Sequence, residues 1–279
     1  MLARALEPGG ANDDVALLVA RREPVTDPLA LWVPGVPDRL SQLRGELRDW
    51  LERLPIAPAA RDDVLLAAGE ACSNAIEHGY GGRDPGRLTL DASWERDGTL
   101  RLAVRDEGGW LPPADGRDHR GRGLPIMRRI MDAVELDAGA HGTEIRMRLR
   151  PARLPRVGSL APAGDAAERG ARPGAEFALD GPPETPTARV SGELDSASAG
   201  DVGARLRAAA AGRSELTLDL SGAGYIDSVG TRLLWEVAER MGRDGGRLVL
   251  VAPRGSPARR LLELSGLPPA ASLVEAGGG

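Results

Sequence analysis

Residues 151–174, PARLPRVGSLAPAGDAAERGARPG, interrupt the chain with proline, glycine and alanine and carry no sustained apolar period. Neither a helical stripe nor a strand alternation can run through such a stretch, so it reads as a flexible linker between two folding units. With 279 residues and 42% hydrophobic content, the chain can bury two cores at roughly 100–200 residues per domain. The sequence therefore divides into a short amino-terminal piece at 1–24, a first domain at 25–150, the linker at 151–174 and a second domain at 175–279.

All 36 basic residues are arginine, because the sequence contains no lysine. A P-loop needs a lysine on the terminal phosphates, and eukaryotic-type protein kinases need one to hold the nucleotide. Both are excluded, and any ATP chemistry must use magnesium, backbone amides and arginine instead. The net charge of −5 argues against nucleic acid as a direct partner, since phosphate-backbone binders concentrate basic charge on one face. Apolar runs such as VALLVA at 15–20 fall far short of the ~20 residues needed to cross a bilayer. No signal pattern opens the chain, so no membrane association and a cytoplasmic location are expected. The single cysteine, Cys72, lies in an apolar stretch and is expected to be a buried thiol.

In the first domain, LALWVP at 29–34 reads as a strand. Leu40, Leu43, Leu47, Trp50, Leu51 and Leu54 recur at helical spacing over 38–54. A second helix is expected from about Ala59 to His78, with Val64, Ala68, Ala71, Cys72, Ala75 and Ile76 as its apolar stripe and Glu70, Asn74 and Glu77 on another face. Segments 87–95 and 99–107 alternate as hairpin strands, a third helix follows Gly123, and 143–150 alternates as a closing strand. In the second domain, strands are expected at 187–195, 215–222 and 247–253, with helices at 198–212 and 227–243.

The polar residues follow a suggestive order. An asparagine carbonyl at Asn74 can ligate a divalent cation without adding charge beside a polyphosphate. One turn away, Glu70 can accept a proton from an attacking hydroxyl. Asp106, at a strand end, can accept a hydrogen bond from an adenine amino group, while Gly108 and Gly109 let a base approach the backbone. Gly121 and Gly123 admit phosphates beside amides at a helix start, where Arg120 and Arg122 offer positive charge. Taken singly, each has an ordinary explanation. Glu70 with Asn74 is a solvated helix face, DEGG is a turn, and 109–123 is a loop. His78 and His119 lack the matching spacing of a zinc site. Ser228, in GYIDSVG at 224–230, reads first as a helix cap.

Taken together, GEACSNAIEHGY, RDEGG, RGRGLPIM and HGTE resemble the GHKL ATPase superfamily, and within it the bacterial anti-sigma-factor serine kinases, over roughly 29–150. The resemblance implies a two-layer GHKL sandwich that uses ATP and Mg2+. Glu70 would be the catalytic base, Asn74 the magnesium ligand and Asp106 the adenine-recognising aspartate. Gly108, Gly121 and Gly123 would line the nucleotide, Thr143 would lie near adenine, and 112–122 would form a lid. The chain departs from the family's D-x-G-x-G pattern in placing Trp110 at the last position, where it is expected to pack over the base or, alternatively, to cap a core. No preceding helix carries a phosphoacceptor histidine, which sets sensor histidine kinases aside.

Residues 175–276 resemble STAS domains, the fold of anti-sigma-factor antagonists, with a mixed sheet and packed helices. In that family the serine after the aspartate of DS-x-G receives phosphate, which here implies Ser228. The 1–24 piece resembles the last strand of SpoIIE-like serine phosphatases, with Asp13 and Asp14 at its mouth but without the sheet a catalytic metal site needs. The overall class is α/β of the α+β kind. The expected function is a partner-switching serine kinase whose partners are a sigma factor, the STAS domain in cis or trans, a SpoIIE-like phosphatase and a second copy of the chain. A non-catalytic scaffold that binds a sigma factor or antagonist is the alternative.

Overall fold

The computed structural model describes residues 26–80, 85–108, 123–139, 142–152, 174–182 and 185–275. Strand and helix patterns in the first domain form a two-layer sandwich. An antiparallel sheet of order β1-β2-β3-β5-β4 is built from β1 (Leu29–Pro34), β2 (Arg87–Trp94), β3 (Leu100–Asp106), β4 (Ala133–Gly139) and β5 (Gly142–Leu149). Its helices are α1 (Leu40–Glu52), α2 (Pro58–Asn74) and α3 (Gly123–Ile130).

Alternation along the strands determines what faces the helices. Leu100, Leu102 and Val104 of β3 point inward, and the same phase carries Asp106 inward at the strand's end. Its register partner on β5 is Thr143, which begins the inward row continued by Ile145 and Met147. A polar pair is thus delivered to one end of an otherwise apolar face. Leu40, Leu43, Leu47, Trp50 and Leu51 of α1 are buried as their spacing predicts, and the Trp50 indole N–H donates to the Asp27 carbonyl at 2.8 Å.

The second helix differs from its expectation in two ways. The α-helix ends at Asn74 and continues as a π-helical turn over Ala75–Tyr80, a local widening common beside functional sites. Its buried residues form an unbroken run from Val64 to Ser73 rather than one stripe. A helix buried all round must be covered on both sides, and the second domain supplies the other cover.

That domain has a mixed sheet of order β10-β9-β8-β7-β6, with β6 (Glu176–Asp180), β7 (Thr187–Leu194), β8 (Glu215–Ile226), β9 (Arg247–Val251) and β10 (Ala271–Val274). The β6/β7 pair is antiparallel and the remaining pairs are parallel. Helices α4 (Ala199–Ala210), α5 (Ser228–Arg243) and α6 (Pro257–Ser265) complete it. The central strand β8 runs directly into α5, so Asp227 and Ser228 sit at the carboxyl end of a parallel strand, the usual location for chemistry in such sheets. The linker segment 153–173, the lid residues and the 1–24 piece with Asp13 and Asp14 lie outside the described residues. No helix among the described residues is long and apolar enough to cross a membrane.

Trp50→Ala should remove a fully buried side chain and its hydrogen bond, lowering stability by about 3–5 kcal/mol, read as a fall in the urea midpoint.

Candidate active site at the domain junction

The site is built from α2, α3 and the start of α5. Glu70 is fully buried. Its Oε1 accepts the backbone N–H of Ser228 at 2.7 Å. The sequence offered Ser228 as a helix cap, but the structure gives that role to Asp227, whose Oδ1 accepts from Val229 N and Gly230 N at 2.9 and 3.0 Å. Ser228 is the first helical residue, where an amide has no partner within its own helix. Glu70, from the other domain, satisfies it.

Asn74 lies on the same side as Glu70. A Cβ added to Gly123 would lie 2.6 Å from Glu70 Oε2 and 3.0 to 3.3 Å from the Asn74 amide atoms. Glycine is therefore required where α3 begins, and Gly123 meets the expected pair directly. On the sheet side, Asp106 accepts from the Gly108 N–H at 2.9 Å and from the amide and hydroxyl of Thr143. Burial nonetheless pushes its carboxyl above the ordinary value. Asn74, Ala71, Ala75, Asp106 and Thr143 border a cavity of about 10 Å³, room for about one water. Glu70, Asn74, Gly123 and Ser228 thus come together, with Asp106, Gly108 and Thr143 across that cavity. Gly109, Trp110, His119, Arg120, Gly121, Arg122 and the side chain of His78 lie outside the described residues.

A buried carboxylate held by Ser228 alone is poorly compensated, because the desolvation penalty is several kcal/mol per ion and Glu70 Oε2 has no hydrogen-bond partner among the described residues. Burial, with the charge of Asp227 added, pushes Glu70 up to about 8, although the amide and hydroxyl of Ser228 favour its charged form. Burial also raises Asp227, while the Gly230 N–H, Arg44 and the Ser73 hydroxyl pull it back.

Arg44 on α1 is a residue that periodicity missed. It is buried and pairs with Glu193 at 2.6 Å and with Asp195 of the second domain. Its guanidinium also lies 4.2 Å from the centre of the Tyr225 ring. The Tyr225 hydroxyl rests on Gly69, so close that a Cβ there would lie 1.8 Å from the oxygen. Ser73 donates to Asp227 Oδ2 at 3.1 Å, and Arg260 on α6 forks onto Asp63 with two 3.0 Å contacts. Cys72 is buried, as expected, and burial pushes its thiol up to about 12.

Residues 33–149 match the histidine kinase-like ATPase domain family, and residues 177–274 match the Mlab, STAS domain family. The chain joins a histidine kinase-like ATPase domain to a STAS domain. It is 28% identical to the serine-protein kinase RsbW of Bacillus pumilus (strain SAFR-032) over 131 residues, 41% of this chain and 80% of that protein. Identity to the anti-sigma F factor of Heyndrickxia coagulans is 33% over 91 residues, 28% of this chain and 62% of that protein. An anti-sigma factor antagonist from Mycobacterium paratuberculosis is similar at 28% identity, covering 36% of this chain and 84% of that one, with a TM-score of 0.33. The contacts around Glu70 and Arg44 are therefore contacts between a histidine kinase-like ATPase domain and a STAS domain within one polypeptide.

Two outcomes follow from this junction. Gly69→Ala should strengthen α2 intrinsically by about 1 kcal/mol yet separate the domains, visible as an increased radius of gyration in solution scattering. Because Glu70 holds its proton more tightly when folded, its contribution is complete below the ordinary value of 4.5 and is lost as pH rises through about 8. Asp227 acts in the same direction. The urea midpoint should fall between about pH 5 and 9, and Glu70→Gln should flatten that fall.

Proposed function

We propose that the chain is an ATP- and Mg2+-dependent protein-serine kinase of a partner-switching pathway whose acceptor is Ser228 of its own STAS domain. The observation that carries this reading is the 2.7 Å hydrogen bond from the Ser228 amide to Glu70 Oε1, because it brings a candidate base and a candidate acceptor together. Glu70 takes the proton of the Ser228 hydroxyl as Oγ attacks the terminal phosphorus of ATP. The Oγ–P bond forms, the bond to the bridging oxygen breaks, and ADP leaves with its charge on phosphate oxygens.

Asp106, supported by Thr143 and the Gly108 amide, would receive the adenine amino group. Gly108 keeps the backbone open there, and Gly123 lets α3 begin directly against Glu70 and Asn74. No cluster of three or more acidic, His or Cys ligands occurs among the described residues. That donor set suits magnesium carried largely by the phosphates, with Asn74 supplying one oxygen. A bound ion would screen the triphosphate charge. The cavity beside Asn74 must widen to admit adenine.

Phosphate on Ser228 would add close to two negative charges and the bulk of three oxygens at the junction, beside the buried Asp227 and the partly exposed Glu77, which favours release of the STAS domain. Arg44 and the α2 face would then be free for a sigma factor, and a SpoIIE-like phosphatase would reset the switch. In a dimer that exchanges STAS domains, the same contacts would form in trans. These reactions belong in the cytoplasm.

Incubation with Mg-ATP should place label on Ser228, identified by mass spectrometry, at a rate independent of protein concentration if transfer is in cis. Ser228→Ala should abolish the label. Glu70→Gln should lower the rate by about 10²–10⁴-fold while keeping ATP binding, and Asn74→Ala should weaken magnesium-dependent binding. Below the Glu70 value the rate should rise with pH, since the base must first lose its proton. The 10 Å³ cavity favours a second reading, a non-catalytic scaffold. Calorimetry with no saturable Mg-ATP heat would establish that reading instead.

A further inference from the structure

On α5, Ser228 and Arg232 stand four residues apart, so their side chains are neighbours on one helical face. Arg232 reaches across the junction to Glu77, with Nη2 3.7 Å from Oε1 and both side chains partly exposed, at 25% and 29%. Glu77 follows Glu70 and Asn74 along the same helical segment. This ion pair therefore borders the site where phosphate would be transferred. Its separation exceeds hydrogen-bond length, so Arg232 is held by charge alone and is not locked by geometry.

Among the described residues, the other groups around Ser228 are already engaged. Its own amide is held by Glu70, and the Val229 and Gly230 amides by Asp227. Arg44 is tied to Glu193 and Asp195. A phosphate on Ser228 would thus face Glu70, Asp227 and Glu77 with helix amides already taken and Arg232 as the loosely held cation one turn away. Three phosphate oxygens with close to two charges outcompete a single carboxylate for a guanidinium, which can fork onto two of them.

We propose that Arg232 is the phosphate-binding residue that converts modification of Ser228 into domain release. In the docked state it pairs with Glu77, and once Ser228 is phosphorylated it turns back along α5 to hold the phosphate. Glu77 then loses its counterion and faces the charge on Ser228. The same movement that steadies the phosphoserine on the STAS domain leaves the kinase surface more negative. This inference rests on Ser228 being the acceptor, so its test supplies the modification independently of the kinase.

Phosphoserine is incorporated at position 228 of the full chain by genetic code expansion, in the native background and in Arg232→Gln and Arg232→Lys. Phosphorus NMR reads the second ionisation of the phosphate, and solution scattering reads domain separation. In the native background the phosphate should ionise at least about half a pH unit below Arg232→Gln, with Arg232→Lys in between and the domains apart. Without phosphate, the native chain should remain compact. Equal ionisation in the native and Arg232→Gln chains, or a difference without domain separation, would overturn the proposal. Failure of the unmodified chain to label itself with ATP would count against the kinase reading alone, because the phosphoserine chains bypass that step.

Discussion

The hydrogen bond between the Ser228 amide and the Glu70 carboxylate holds the first turn of a helix in one domain against the centre of a helix in another. A helix start has amides without internal partners, and here one of them is satisfied only while the domains remain docked. The other junction contacts keep this bond in register. Arg44 grips Glu193 and Asp195 at one edge, and Arg260 grips Asp63 at another. Ser73 fixes Asp227, and so the turn that presents Ser228.

Charge balance explains why the arrangement is poised. Glu70, Asp227, Glu193 and Asp195 are all buried, and Arg44 is the buried guanidinium among them. Excess buried negative charge is relieved by proton retention, which is why Glu70 and Asp227 are both raised. A carboxyl in that condition keeps its proton near neutral pH until burial is relieved or positive charge comes close.

Most of the architecture could be read from the chain because strand alternation and helical spacing are strong where one face is buried. The α1 stripe, the β2/β3 hairpin and the strand-to-helix passage at Asp227 are of this kind. Elements that escaped have weak patterns for a reason. Strands β4, β6 and β10 lie at sheet edges with few buried residues, so alternation there is faint. Helix α6 is short, yet Ser256 caps it by accepting from Arg259 N with Pro257 in the first turn, a signal visible in SPARR. Within the site, Glu70, Asn74, Asp106, Thr143 and Ser228 could be nominated from motifs. Arg44 could not, because an arginine beside a leucine stripe looks like a solvated flank until its partners arrive from 149 and 151 residues away.

The seat of the Tyr225 hydroxyl on Gly69 bears on fidelity among related regulators sharing one cell. Any side chain at that kinase position would bar a tyrosine-bearing antagonist, and an antagonist with a small residue there would leave a void against this kinase. The lock is steric and needs no charge, so a notch of this kind would select partners by shape.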